Sequence, residues 1–87
     1  MYKIDFIDEW DRHFKKFDKN TQQIIIKKIE KQTEETKTRH LKLGLEFYVI
    51  ELGQYRIAIK IEEEKRIKEI WFVGNHKQYE KWYKSFF

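Results

Sequence analysis

The chain has 87 residues with 19 Lys+Arg, 15 Asp+Glu, no Cys and no Pro, and a net charge of +4. A chain this short hides only about 60% of its unfolded surface, and without cysteine it has neither a disulfide framework nor a thiolate metal site, so packing alone must hold it. Seven Phe, five Tyr and three Trp argue against disorder, which is poor in aromatics, and no apolar run approaches the roughly 20 residues of a membrane span.

The elements follow in chain order. Tyr2-Lys3-Ile4-Asp5-Phe6 alternates and predicts a strand with Tyr2, Ile4 and Phe6 inward. Asp8 is placed to cap a helix from Glu9, and Trp10, Phe14 and Phe17 share one helical face. A polar break at Asp18 to Asn20 opens a second helix with Ile25, Ile26 and Ile29 as its buried stripe and Lys28 and Gln32 at its edges. Two helices joined this closely predict an antiparallel hairpin. Residues 33–46 read as a polar loop containing Gly44.

From Phe47 the period changes to two. Residues 47–52 form a strand, Gly53-Gln54 a tight turn, and 55–62 the cleanest strand of the chain. On that strand Tyr55, Ile57, Ile59 and Ile61 face one way, and Arg56, Ala58, Lys60 and Glu62 the other. A turn at Glu63-Glu64-Lys65 leads to a third strand, Arg66 to Val73, with mixed facing. Gly74-Asn75 ends it, and Tyr79, Trp82, Tyr83 and Phe86 recur as one face of a short terminal helix. The expectation is an α+β fold: N-terminal strand, two-helix hairpin, three-stranded antiparallel meander and short C-terminal helix, in one domain spanning 1–87. The helix pair should cover the Ile57/Ile59 face and leave the opposite face partly open. The acidic, alternating N-terminus is unlike a signal peptide, so a cytoplasmic protein is expected.

Charge is unevenly placed. Residues 12–45 hold ten basic and four acidic side chains, whereas 1–11 hold one and four. The excess alone identifies no partner and fits an ordinary solvated helix face. His13, His40 and His76 show no ligand spacing, three separate glycines build no phosphate loop, and Ser85 is the only serine. No metal and no cofactor are therefore expected.

One constellation remains. His76 follows Gly74-Asn75 at a strand end, Arg56 opens the neighbouring strand, and Glu51 is the only acid in residues 47–52. The plain reading of Glu51 and Arg56 is a cross-strand ion pair, and of His76 a capping or solvent-facing residue. The functional reading is a base, an anion clamp and an acid. That set suits RNA cleavage by attack of the 2′-hydroxyl.

Three segments together resemble the RelE/ParE superfamily of toxins. Arg39-His40-Leu41-Lys42-Leu43-Gly44 is similar to its basic K-L-x-G segment, and Glu51-Leu52-Gly53-Gln54-Tyr55-Arg56-Ile57 to its hairpin. Phe72-Val73-Gly74-Asn75-His76-Lys77-Gln78-Tyr79-Glu80 resembles the F-x-G-T-H-x-x-Y-D ending of HigB-like members. The resemblance implies a toxin neutralised by a cognate antitoxin and cutting mRNA in the ribosomal A site. By it Arg56 matches the phosphate-contacting Arg, His76 the catalytic His and Tyr79 the Tyr of the HigB-like ending. Glu51 is the candidate base, and Arg39, Lys42, Lys60 and Tyr79 are the candidate RNA contacts. Val49 and Glu51 stand where RelE carries two lysines, so its lysine mechanism does not transfer. ParE-like members share the fold but inhibit DNA gyrase, which is the alternative, along with a degenerate member that only binds its antitoxin.

Overall fold

The computed structural model describes residues 1–34, 39–40 (as backbone) and 47–86. Strand β1 is Lys3–Phe6, helix α1 Lys19–Glu30 and strand β2 Arg39–His40. The meander is β3 Tyr48–Leu52, β4 Tyr55–Glu62 and β5 Ile67–Asn75, followed by helix α2 His76–Lys84. The sheet order is β1-β5-β4-β3-β2. β1 runs parallel to β5 and the other pairs are antiparallel. The mixed α+β class and the meander agree with the sequence pattern.

The two-helix hairpin does not form. The helix expected from Glu9 is a series of turns ending in a short 3-10 segment, Phe14–Lys16. Glu9 has φ 69°, a left-handed conformation that no right-handed helix contains. Its neighbours instead bond to β5: the Ile7 N–H donates to the Ile70 carbonyl at 3.0 Å, and the Val73 N–H to the Trp10 carbonyl at 3.2 Å. Trp10, Phe14 and Phe17 still pack against the core, so their spacing reported a shared target rather than a helix.

α1 begins after Asp18, which sits at the cap position without a side-chain cap bond. Ile25 and Ile29 are buried against Ile50, Ile57, Ile59, Ile70 and Val73. Each such side chain contributes about 1.5–3 kcal/mol of transfer free energy, and this aliphatic layer is the main core. Gln32, expected at an edge, is buried, with its amide donating to the Lys28 carbonyl at 3.2 Å. Phe6, expected inward, is 44% exposed, its ring 4.7 Å from that of Trp10.

β5 has mixed facing because it contains a bulge. Ala58 pairs with Phe72 but Ile59 pairs with Ile70, so Trp71 is an extra residue. The bulge lets Ile70 and Val73 reach the same core although they are three apart. Lys68, also on β5, is buried; its Nζ lies 4.4 Å from the centre of the Tyr2 ring and donates to the Glu34 carbonyl at 3.2 Å.

The opposite sheet face is covered by α2, which buries Val49, Ala58, Phe72 and Tyr79 with help from Trp82 and Tyr83. Residues 33–46 were expected to be loop, but Arg39–His40 pairs with β3 as an edge strand. Lys42 and Gly44 lie outside the described residues.

Candidate functional site

The register of the meander builds a corner at one end of the sheet. Arg56 pairs with Glu51 on β3 and with Gly74 on β5, so all three share a face. Two residues further on, the same face holds Val49, Ala58 and Phe72, the floor of α2. Tyr55 pairs with Asn75, and the His76 N–H donates to the Gln54 carbonyl at 2.8 Å. The first turn of α2 is thereby tied to the β3–β4 turn that precedes Arg56.

Local sequence fixes each piece. Gly53 adopts φ +60°, which lets the turn close tightly. Asn75 and Gln78 form a reciprocal capping box, with both bonds at 2.8 Å, and start α2 at His76. Gly74 leaves room for this: a Cβ there would lie 2.7 Å from the Phe72 ring and 3.0 Å from the Gln78 Oε1.

The Arg56 side chain is only 16% exposed. Its Nη1 donates to the Gly53 carbonyl at 2.7 Å and the Tyr55 carbonyl at 2.9 Å, and its Nη2 lies 3.8 Å from a Glu51 carboxylate oxygen. Five donors against two carbonyl acceptors leave capacity for an anion. The two carbonyls orient the guanidinium, and the Glu51 carboxylate lies beside it as an ion pair. His76 is half-exposed at the start of α2, with its Nε2 2.7 Å from the Glu80 Oε1.

The structure pairs Glu51 with Arg56 directly and brings the His76 backbone to the adjoining turn, while the His76 side chain contacts Glu80. Lys60 lies four residues along β4, about 13 Å away at 3.3 Å per residue. It pairs with Glu69, and its Nζ is 5.9 Å from the centre of the Trp71 ring. Arg39 is placed through its backbone, opposite Val49 at the sheet edge. Tyr79 is buried, its ring 5.3 Å from that of Tyr83, so it supports the corner from beneath and does not offer a ring face to solvent. Glu80 is the side-chain partner of His76, a contact that the i,i+4 spacing on a helix signals.

On the other flank of α2 lies a second concavity of about 470 Å³, between the 7–13 segment, Trp71, Phe72, Lys81 and Trp82. His13 borders it, edge-on to Phe72 at 5.6 Å. Burial, with Arg12 and Lys16 nearby, lowers the His13 pKa below its ordinary value of 6.5. Among the described residues, no three His, Asp or Glu side chains converge as a metal site. No helix among them is long and apolar enough to cross a membrane.

The fold is that of RelE toxins. Escherichia coli RelE in its intact complex with RelB superposes with a TM-score of 0.73 at 22% identity, covering 86% of this chain and 96% of that one. The isolated E. coli RelE toxin gives 0.73 at 20% identity over 100% of both chains. The RelBE2 toxin–antitoxin complex of Mycobacterium tuberculosis gives 0.70 at 15% identity, covering 85% and 90%. No curated protein matches the sequence. These likenesses, all under 25% identical, show the fold. The family model for the ParE toxin of the type II toxin–antitoxin system parDE matches residues 4–79, and the chain belongs to that family.

Proposed function

We propose that residues 1–87 act as one cytoplasmic toxin domain that cleaves mRNA in the ribosomal A site by 2′-hydroxyl attack, without a cofactor. The observation that carries this reading is the bond from the His76 N–H to the Gln54 carbonyl, which ties the first residue of α2 to the turn two residues before Arg56. Glu51 takes the proton of the 2′-hydroxyl. The freed oxygen attacks phosphorus while Arg56 neutralises the charge growing on the phosphate oxygens. The bond from phosphorus to the 5′-oxygen breaks, and His76 supplies its proton. A 2′,3′-cyclic phosphate and a 5′-hydroxyl end result. Arg39, Lys42 and Lys60 hold the flanking backbone, and Tyr79 fixes α2 under His76. A cognate antitoxin restrains the toxin; the structures of RelE with RelB support such a partner.

The test is cleavage of ribosome-bound mRNA. His76→Ala and Arg56→Ala should each slow it by about 10²–10³-fold while leaving the fold intact. A folded His76→Ala protein that cleaves at the wild-type rate overturns the assignment. The second reading, gyrase inhibition, is favoured by the family-model match and by Val49 and Glu51 at the positions of the RelE lysines. Inhibition of gyrase supercoiling by the wild-type protein, with no mRNA cleavage, would establish it instead.

A further inference from the structure

We infer that Glu80 is a positioning residue that holds the His76 imidazole through Nε2 and so commits Nδ1 to the substrate. This rests on the ribonuclease reading above. Nε2 lies 2.7 Å from Glu80 Oε1, a direct contact between the ring nitrogen and the carboxylate. The side chains remain 55% and 42% exposed, so substrate can reach the ring. Ring nitrogens are not equivalent: the bond made by one decides which proton the other carries. In the imidazolium the Nε2 proton faces Glu80, so the Nδ1 proton is the one delivered to the 5′-oxygen. The product is the neutral imidazole with its proton on Nε2, directed at the carboxylate, and the charge balances.

Helix stability does not account for the pair. The more favourable i,i+4 ion pair places the acid N-terminal to the base, and here the order is reversed. His76 is also the first residue of α2, where the positive end of the helix dipole disfavours a cation. The capping box of Asn75 and Gln78 already starts the helix without Glu80. The geometry is costly as a cap and useful as an orienting contact. Glu80 does for His76 what the capping box does for the backbone: it removes a degree of freedom at the point where the ring must face the corner.

The experiment compares wild type, Glu80→Ala and Glu80→Gln by steady-state cleavage of ribosome-bound mRNA and by ¹⁵N NMR of the His76 ring nitrogens without RNA. Glu80→Ala should lower kcat about tenfold with KM changed less than twofold, and the hydrogen-bonded Nε2–H signal should be lost to solvent exchange. Glu80→Gln, which still offers an oxygen acceptor, should keep that signal and recover most of the lost rate. If wild type cleaves and Glu80→Ala keeps both its kcat and its hydrogen-bonded Nε2–H signal, the positioning role is overturned alone. A loss confined to KM also overturns it. If wild type cleaves nothing while its ring still shows the hydrogen-bonded Nε2–H signal that Glu80→Ala loses, the ribonuclease reading fails and the catalytic purpose of the pair fails with it.

Discussion

The two faces of the sheet are built from different chemistry. The α1 face is aliphatic: Ile25, Ile57, Ile59, Ile70 and Val73 are wholly buried. The α2 face is aromatic, with Phe47, Phe72, Tyr79 and Trp82 in tilted, edge and stacked contacts between 5.1 and 6.3 Å. Phe86, its last ring among the described residues, is 44% exposed. Branched aliphatic side chains fill a closed layer with stiff rotamers. Rings cover area with few degrees of freedom and tolerate partial exposure. The first face therefore fixes the register of β3, β4 and β5, while the second ends in the Glu51–Arg56 pair of β3 and β4, next to the nine-residue helix that begins at His76.

The sharpest way to separate the faces is to open a cavity in one of them. Ile57→Ala removes a fully buried side chain and should cost about 2–5 kcal/mol. That is a large share of the roughly 5–15 kcal/mol that holds a domain. Chemical denaturation should show a lower midpoint with little change in slope. A loss under about 1 kcal/mol would mean that the aliphatic layer is not the dominant core.

A smaller effect is expected on the second face. Gly74→Ala drives a Cβ to 2.7 Å from the Phe72 ring and 3.0 Å from the Gln78 Oε1, and overpacking of this kind costs about 1–3 kcal/mol. The strain should fall on the seat of α2. Amide exchange should quicken in residues 76–84 while Ile57 and Ile59 keep their protection. Equal quickening on both faces would show that they unfold as one unit and erase the distinction.

The same division governs what the sequence could reveal. The row of Tyr55, Ile57, Ile59 and Ile61 is strictly alternating, and the Gly53 turn and α2 stripe follow regular periods; all were legible. The first helix was not, because apolar spacing records what must reach the core and is silent about Glu9 taking a positive φ. The Trp71 bulge was hidden for a related reason: one extra residue shifts the alternation, which reads as mixed facing. At the site, Arg56 and His76 were visible from motif and strand order. The coupling of His76 to Glu80 was open to helix spacing, but the tie from His76 to the Gln54 carbonyl is a backbone bond that no side-chain pattern encodes.

The smallest expected effect lies where the two regions meet. His13 sits between the aromatic face and the 7–13 segment, and burial together with Arg12 and Lys16 lowers its pKa below 6.5. The unfolded chain then binds the proton more readily than the folded one. Stability is fully present above pH 6.5 and declines as pH falls through the lowered folded value. His13→Gln, which cannot take up that proton, should flatten this part of the midpoint-versus-pH curve measured by thermal melting. An identical decline in wild type and His13→Gln would place the acid sensitivity elsewhere. A flattened curve would show that the segment which failed to become a helix still contributes to the stability of the aromatic face, through one imidazole packed against Phe72.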